Sequence, residues 1–247
     1  MDNVNKLIEL LENSDNIVFF GGAGVSTESG IPDFRSAEGL YQMGNRIPPE
    51  VILSHDFFYR HTKEFYDFYF KHMIYPDVLP NATHILLAKL EQLGKLKAVV
   101  TQNIDGLHQR AGSKAVFEMH GTVNRYICLD CNRKCDLNFA HSSYQKSKDV
   151  PRCQCGGVLK PDVVLYGEAL DQAVIEQSAK AIAEADVLIV AGSSLVVYPA
   201  AGFINYYHGN KLVLINAEAT AYDKNANLHF KCRLKEVVEP VLEYFSK

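Results

Sequence analysis

Residues 17–27 have the sequence IVFFGGAGVST. A short apolar run that ends at a pair of glycines is typical of a buried parallel strand, and the glycines predict a tight strand-to-helix turn. Such a turn lets the backbone approach a pyrophosphate, which the free N–H groups of a following helix bind. The stretch departs from the dinucleotide fingerprint G-x-G-x-x-G, because Thr27 stands where the third glycine would fall. These residues alone therefore indicate a phosphate-binding loop and a plain structural turn about equally.

The chain on either side of this stretch alternates between helix and strand patterns. Apolar residues at helical spacing predict helices over 4–13, 82–93, 170–185 and 234–245. Short apolar runs predict strands over 17–20, 98–100, 116–119, 187–190 and 212–215. Because helices of this length separate the strands, we predict right-handed crossovers and an α/β fold with a doubly wound, Rossmann-like parallel sheet.

Two segments interrupt this alternation. Residues 31–80 are rich in aromatic residues and histidine and have no convincing strand pattern. Residues 122–160 contain five of the 6 cysteines. Insertions at the carboxyl ends of strands are where α/β folds build their sites. We therefore predict a Rossmann-like domain from residues 1–30, 81–121 and 161–247, a helical insertion at 31–80, and a smaller module at 122–160.

The composition is that of a globular protein. The chain has 247 residues, of which 47% are hydrophobic and 22% charged, and this excludes a disordered, collagen-like or coiled-coil protein. The formal net charge of −4 argues against binding to a nucleic-acid backbone. No signal-peptide pattern is present at the N-terminus. Residues 187–210 lack charged side chains, but Gly192 and Pro199 divide them into a strand and a loop rather than a membrane span. We expect a cytoplasmic protein.

The cysteines form two close pairs, Cys128-x-x-Cys131 and Cys153-x-Cys155, separated by 21 residues. In a cytoplasmic chain this pattern indicates a tetrahedral Zn²⁺ site rather than disulfides. The second pair is one residue tighter than the usual C-x-x-C, and Cys135 is a nearby thiol that could substitute. A site closed by four thiolates leaves no position for a reacting water, so we predict a structural zinc ion.

Six segments, in order along the chain, resemble the sirtuins, the NAD-dependent protein-lysine deacylases. They are 22–36 (GAGVSTESGIPDFRS), 101–108 (TQNIDGLH), 120–121 (HG), 161–168 (PDVVLYGE), 192–195 (GSSL) and 213–216 (VLIN). The resemblance runs from about Leu7 to the C-terminus and is greatest to the bacterial, single-domain type. It implies that the Rossmann-like domain binds NAD, that the insertion at 31–80 contains the cofactor loop, and that the module at 122–160 is zinc-binding. NAD would be a consumed co-substrate, and acetyl-lysine proteins or peptides would be the second substrate.

The resemblance also implies roles for individual residues. The NAD-contacting residues would be Gly22, Ala23, Gly24, Thr27, Asp33, Phe34, Arg35, Gln102, Asn103, Ile104, Asp105, His120, Gly192, Ser193, Ser194, Asn216 and Cys232. The peptide-binding residues would be Val164, Leu165, Tyr166, Gly167 and Val196. Ordinary structural roles remain alternatives for several of these: core packing for Phe34, a turn for Ser193 and Ser194, and a helix cap for Asp105.

The expected catalytic residues are His120 and Asn103. His120 follows the predicted strand 116–119, at its carboxyl end, and an ordinary histidine pKa of about 6.5 suits a general base at neutral pH. His108 is the nearest rival, but its position in a predicted helix suggests a supporting role.

The resemblance implies the following chemistry. The acyl oxygen attacks the ribose C1′ as nicotinamide leaves, and His120 accepts a proton from a ribose hydroxyl. The products are lysine, nicotinamide and O-acyl-ADP-ribose. Sirtuins that prefer acidic acyl groups carry Tyr-x-x-Arg in the helical insertion, whereas this chain has Tyr66 followed by Tyr69 in the arginine position. We therefore expect a deacetylase; a deacylase for another acyl group, a mono-ADP-ribosyltransferase and a dinucleotide-responsive binding module remain alternatives.

Overall fold

The structure is a computed structural model that describes residues 2–34, 36, 39–42 and 47–247. Arg35, predicted above to contact NAD, lies outside the described residues. The described strands are β1 (Ile17–Gly21), β2 (Leu96–Thr101), β3 (Val116–Glu118), β4 (Gly121–Cys128), β5 (Lys134–Asp136), β6 (Leu159–Val163), β7 (Val187–Ala191), β8 (Leu212–Ile215) and β9 (Leu228–Phe230). The described α-helices are α1 (Asp2–Glu12), α2 (Pro49–Ile52), α3 (His55–Arg60), α4 (Thr62–His72), α5 (Ala82–Gln92), α6 (Leu107–Ala111), α7 (Leu137–Ser147), α8 (Gln172–Glu184) and α9 (Leu234–Phe245).

The larger sheet has six strands in the order β3-β2-β1-β7-β8-β9. Every neighbouring pair in it is parallel. From β1 the chain winds to β2 on one side and, later, to β7 on the other, so the direction of winding changes between β1 and β7. The predicted doubly wound parallel sheet is confirmed. In folds of this kind, ligands bind in the crevice beyond the carboxyl ends of the strands at this switch point.

The sheet is covered by apolar layers on both faces. One layer packs residues of α1, α5 and α9 against Ile17 and Phe19, and the other packs α8 and the 3₁₀ helix Ala200–Tyr206 against Val18 and Phe20. The predicted helix over 234–245 coincides with α9, although Pro240 lies inside it. Strand β9 is missing from the sequence prediction, since Leu228-His229-Phe230 has too few apolar residues to stand out.

A smaller module lies between β3 and α8 in the chain. Its antiparallel sheet has the order β5-β4-β6 and, at the ends of β4 and β6, includes Gly121 and residues 161–163. The helical insertion packs on this sheet through aromatic side chains of α3 and α4, among them Phe58, Phe65 and Tyr66, which form one core with Tyr126 and Leu159. The predicted smaller module and helical insertion are both present. No helix in the described part of the chain is long and apolar enough to cross a membrane.

Candidate active site

The loops that follow β1 and β7 touch each other at the switch point of the sheet. The N–H of Gly24 donates to the carbonyl of Gly192 across 2.8 Å. A Cβ atom on Gly24 would lie 2.8 Å from the Gly192 Cα, and Gly192 itself has a φ of +58° with only 2.5 Å between a built Cβ and the Val25 nitrogen. Side chains are therefore excluded from this contact, and backbone lines the floor of the crevice.

The crevice opens into a cavity of about 1240 Å³. Most of the residues predicted to bind NAD or peptide line it: Gly22, Ala23, Gly24, Thr27, Asp33, Phe34, Gln102, Asn103, Ile104, Asp105, His120, Val164, Leu165, Tyr166, Gly167, Gly192, Ser193, Ser194 and Asn216. Val196 and Cys232 are not among the lining residues. Val196 is 56% exposed, and Cys232 packs against the core formed by α1, α5 and α9.

His120 lies at the carboxyl end of β3, where the sequence predicted it. Its Nδ1 atom lies 2.9 Å from the carbonyl oxygen of Gln102. Because a carbonyl only accepts, Nδ1 carries the hydrogen and Nε2 keeps the basic lone pair. Burial lowers the pKa of His120, and the hydrogen bond to Gln102 opposes that shift in part. The imidazole is therefore neutral at pH 7, in the form that accepts a proton.

A hydrogen-bond network joins the β1 loop to the segment after β2. The Ser26 hydroxyl donates to Asp105 across 2.7 Å and accepts from the Asn103 amide across 3.0 Å. The second carboxylate oxygen of Asp105 accepts from the N–H of Leu107 across 2.8 Å. Burial raises the pKa of Asp105, against the lowering effect of these two hydrogen bonds. Asp105 thus lines the cavity and also accepts a hydrogen bond from the first residue of α6, and its contact with NAD stays a prediction.

Ser26 is a site residue that the sequence analysis did not select, although it lies within the glycine-rich motif. It is 1% exposed. Its hydroxyl holds Asn103 and Asp105 in place from the opposite loop, a relation that connects residues 77 and 79 positions apart in sequence. No local pattern could have revealed that pairing.

A second chain of polar contacts connects the ends of β2, β7 and β8. The Gln102 amide donates to the Ser193 hydroxyl across 3.0 Å, and the Ser193 N–H donates to Asn216 Oδ1 across 3.0 Å. Asn216 Nδ2 is buried and has no hydrogen-bond partner in the part of the chain that the structure describes. A buried amide donor without a partner is costly, and a polar ligand in the cavity would supply the missing acceptor.

Residues 164–168, which we call the substrate segment, form another wall of the cavity. The N–H of Val164 donates to the carbonyl of His120 across 2.9 Å. Glu168 accepts from the N–H of Leu165 across 2.9 Å and from Lys160 Nζ across 3.0 Å. The Lys160 and Glu168 side chains are only 16% and 19% exposed. This shielded ion pair therefore fixes the substrate segment directly beside His120.

The cavity extends past Asn216 toward the start of α9, where Glu218, Arg233 and Lys235 line it. No motif in the sequence indicates a role for these residues. Glu218 follows β8 closely in the sequence but belongs to no motif of its own. The start of α9 lies at the site only because of the tertiary fold. This end of the cavity carries charge of both signs.

The four predicted zinc ligands meet in one cluster in the smaller module. The sulfur atoms of Cys128, Cys131, Cys153 and Cys155 all lie within 4.8 Å of one another. The pairs Cys128–Cys155, Cys131–Cys153 and Cys131–Cys155 are 3.5, 3.8 and 3.4 Å apart. A regular tetrahedron with Zn–S bonds of about 2.3 Å has edges of about 3.8 Å, so the residues fit zinc.

Two further features support that fit. Backbone N–H groups of Cys131 and Asp130 lower the pKa of the Cys128 thiol, whereas the neighbouring thiols raise the pKa of Cys155, so a bound cation is needed for all four to be thiolates. A Cβ atom on Gly157 would lie 2.7 Å from Cys128 Sγ, so a residue without a side chain leaves room for the thiols. Cys135, the alternative ligand, lies outside the four-thiol cluster.

Comparison with known proteins gives the family. The sequence model of the Sir2 family matches residues 22–199, which span the glycine-rich loop, the His120 region and the cysteine module. This chain belongs to the Sir2 family.

Curated members of the Sir2 family resemble the chain over nearly its whole length. A protein from Clostridium acetobutylicum named NAD-dependent protein deacetylase is 56% identical over 98% of this chain and 99% of its own. One with the same name from Clostridium perfringens is also 56% identical, over 98% of this chain and 99% of its own.

Solved Sir2 structures have the same fold. A Sir2 protein with a p53 peptide and NAD⁺ superposes with a TM-score of 0.86, at 40% identity over 98% of each chain. A Sir2 protein bound to an acetylated peptide has a TM-score of 0.86 at 39% identity, and one bound to a propionylated peptide has 0.86 at 40%, each over 98% of both chains.

Proposed function

We propose that this Sir2-family chain is an NAD-dependent protein-lysine deacetylase that releases nicotinamide and O-acetyl-ADP-ribose. The observation that carries the proposal is the position of His120. Its neutral imidazole lies on the wall of a cavity that the glycine-rich loops and the substrate segment share. The names of its relatives, which are deacetylases, and the acetylated peptide and NAD⁺ bound in similar structures support the same activity.

We assign the phosphate side of NAD to the backbone between Gly22 and Gly24 and to residues 192–194. Backbone N–H groups and serine hydroxyls at the ends of β1 and β7 are suited to phosphate oxygens. Asn216 Nδ2, which is buried and has no partner among the described residues, is the donor for the adenosine ribose. Phe34 lies on the same phosphate and ribose side, and Asp33 beside it also contacts NAD. Ile104 and Asp105 lie against the nicotinamide, and Gln102 and Asn103 lie near the nicotinamide ribose. This placement supports the use of NAD as a co-substrate.

In this proposal His120 acts after nicotinamide has left and the acyl oxygen has bonded to the ribose C1′. Nε2 of His120 accepts the proton of one ribose hydroxyl, which takes the proton of the neighbouring hydroxyl as that oxygen attacks the acyl carbon. Addition of a water molecule then breaks the bond between the acyl carbon and the lysine nitrogen and releases lysine and O-acetyl-ADP-ribose. The Gln102 carbonyl stabilises the protonated ring through Nδ1–H. Asn103, held by Ser26, orients the reacting ribose or a water molecule beside it.

The acetyl-lysine peptide lies along the substrate segment in the same proposal. Its main chain pairs with Gly167 and with residues 196–198 as an added strand, and its acyl-lysine side chain passes Val164, Leu165 and Tyr166 toward His120. Val196, exposed at the surface, contacts the peptide rather than the cavity. This arrangement brings the acyl carbon and the base to the same wall.

The four cysteines hold zinc as a structural ion. Bound there, zinc cross-links β4 to the turn before β6 and supplies folding free energy to a module with a three-stranded sheet. We also propose a cytoplasmic location, because a site of four thiolates needs cysteines that stay reduced.

The deciding experiment incubates the protein with NAD and an acetyl-lysine peptide and follows both by mass spectrometry. We expect nicotinamide to be released only when the peptide is present. The peptide should lose about 42 Da, because hydrogen replaces its acetyl group, and O-acetyl-ADP-ribose should appear as the product. An unacetylated peptide is the control. ADP-ribose retained on protein with the acetyl group intact would instead establish a mono-ADP-ribosyltransferase. Nucleotide binding without any turnover would indicate a dinucleotide-responsive binding module instead of an enzyme.

A further inference from the structure

Two tyrosine hydroxyls from distant parts of the chain meet, and one of them belongs to Tyr166, which lines the cavity. The Oη atoms of Tyr41 and Tyr166 lie 2.6 Å apart, which joins residues 125 positions apart in sequence. Tyr166 belongs to the substrate segment. Tyr41 belongs to a set of residues that we call the cofactor segment: Asp33, Phe34, Ser36, Gly39, Leu40 and Tyr41. The bond therefore spans the gap between the two walls to which we have assigned NAD and peptide.

Tyr41 is fixed at its own end. Its N–H donates to the carbonyl of Phe34 across 3.0 Å, and the N–H of Leu40 donates to the carbonyl of Asp33 across 2.8 Å. The rings of Phe34 and Tyr41 make an edge contact with centroids 5.8 Å apart. A ligand that moves Asp33 or Phe34 therefore also moves the Tyr41 ring.

Tyr166 is fixed as well. Its N–H donates to Leu53 across 3.0 Å, and its carbonyl accepts from the N–H of His55 across 2.9 Å. The side chain is 42% exposed and lines the cavity. The hydroxyl contact therefore links the cofactor segment to a substrate segment whose backbone has hydrogen bonds of its own.

We propose that the Tyr41–Tyr166 pair is a positioning contact that couples the binding of NAD to the binding of the acyl peptide. A ligand that shifts one segment shifts the other through the shared hydrogen bond, so the second ligand meets a segment already moved toward its bound position. The inference rests on the proposed placement of the two substrates. Neither tyrosine touches the reacting atoms in this arrangement.

The expected size of the coupling follows from the type of bond. A neutral hydrogen bond contributes a net factor of roughly 2 to 10 to an equilibrium constant. Coupling is reciprocal, so the peptide should strengthen nucleotide binding by the same factor as the nucleotide strengthens peptide binding.

The test uses ADP-ribose, which lacks nicotinamide and cannot react, titrated calorimetrically with and without an acetyl-lysine peptide. In the natural protein the peptide should lower the Kd of ADP-ribose; in Tyr41→Phe and in Tyr166→Phe this gain should shrink by roughly 2- to 10-fold. The double variant should match the single variants, because both remove the same bond. Tyr206→Phe is the control, since Tyr206 is similarly exposed at 45% and does not line the cavity.

Several outcomes would overturn the inference: unchanged coupling in either single variant, additive losses in the double variant, or tighter ADP-ribose binding in a single variant, which would indicate a latch that must open. Melting temperatures of the variants separate a loss of coupling from a loss of folding. The measurement needs no turnover, so a protein that shows coupling but fails to deacetylate would refute the proposed function and leave this inference standing.

Discussion

Nδ1 of His120 donates a hydrogen bond to the carbonyl oxygen of Gln102 across 2.9 Å. Gln102 in turn is held from two sides: its own N–H donates to the carbonyl of Gly21, and its side-chain amide donates to Ser193. The tautomer of the proposed base is therefore fixed by backbone at the switch point of the sheet. An imidazole oriented in this way needs no carboxylate partner to present Nε2 to the cavity.

Replacing His120 by alanine should remove the chemical step and leave nucleotide binding largely intact. General-base catalysis contributes about 100- to 10,000-fold to a rate, so we expect kcat to fall by that factor. The Kd of ADP-ribose should change by less than roughly tenfold, because the floor of the crevice is backbone. A His120→Ala protein that deacetylates at a rate close to the natural one would contradict the assignment of the base.

The pH profile offers an independent check on the same residue. Burial lowers the pKa of His120, so the neutral form that accepts a proton persists to lower pH than for an exposed histidine. Activity should therefore fall only as the pH drops below about 6.5, and kcat/KM should be flat between about pH 7 and pH 8. An acid limb centred above pH 7 would show that another group limits the rate.

The cysteine cluster can be tested with a matched pair of variants. Cys131→Ser removes one of the four clustered thiols, whereas Cys135→Ser removes a thiol outside the cluster. We expect about one zinc per chain in the natural protein and in Cys135→Ser. We expect loss of zinc and at least about 3 kcal/mol of stability in Cys131→Ser, which is roughly 6–12 °C in Tm for a chain of this size. Elemental analysis and thermal melts measure both.

Two results would change that assignment. Full zinc content and an unchanged Tm in Cys131→Ser would show that Cys131 is not a zinc ligand. Loss of zinc in Cys135→Ser would place Cys135 in the set instead.

The structure refines the prediction about acyl choice. Tyr69, in the position where sirtuins selective for acidic acyl groups carry arginine, is fully buried and stacks on Phe65 at 5.3 Å between centroids while lining the cavity. Tyr66, its partner in that motif, donates its hydroxyl to the carbonyl of Leu159. A carboxylate entering beside these aromatic rings would be left without a cation, and burial of an unpaired charge is costly.

Acetyl-lysine should therefore be preferred over succinyl-lysine in kcat/KM by roughly 30- to 1000-fold, which corresponds to about 2–4 kcal/mol. Matched peptides on the natural protein give this ratio directly. Equal efficiencies would place a cation in the acyl channel, and Arg110, which lines the cavity, would then be the residue to replace by alanine. Tyr69→Arg itself should lose stability, since it breaks the stack with Phe65.

The sequence was sufficient for features that depend on local patterns. The strand and glycines of residues 17–24, the helix over 234–245 and the two cysteine pairs are each legible within a few residues, and the structure brings them where the patterns predict. Contacts between segments that are distant in sequence could not be predicted from these patterns. The contact of Ser26 with Asp105 and the contribution of Lys235 to the cavity arise from how distant parts of the chain pack, which no short motif encodes.

The resemblance to the sirtuins predicted more of the candidate site residues than local sequence patterns did, but not all of them. It named Asn216, whose buried amide nitrogen has no partner in the described residues. It also named Val196 and Cys232, which the structure leaves outside the cavity lining, so their roles stay predictions. The Tyr41–Tyr166 bond was not predicted at all, because two tyrosines in separate loops give no pattern.

A buried histidine pair predicts how the protein responds to acid. The rings of His84 and His108 lie 4.7 Å apart between α5 and α6, and both residues are at most 1% exposed. Burial lowers the pKa of His84 to about 4, and burial together with His84 lowers that of His108 to about 3. Neither nitrogen of His108 has a hydrogen-bond partner within the described residues.

Because these pKa values are lower in the folded protein than in the unfolded chain, the unfolded chain binds more protons at mildly acidic pH. Stability is therefore fully present above about pH 6.5 and is lost as the pH falls from there toward the folded values. At pH 5 the loss should be roughly 2 kcal/mol for each imidazole relative to pH 7.5. His108→Leu removes one protonation site without breaking a hydrogen bond, so its free energy of unfolding should decline less steeply between pH 7.5 and pH 5. Urea unfolding at both pH values measures the decline, with exposed His208→Gln as the control that should match the natural protein. If His108→Leu and the natural protein lose the same stability over that range, the buried pair is not the source of the acid sensitivity.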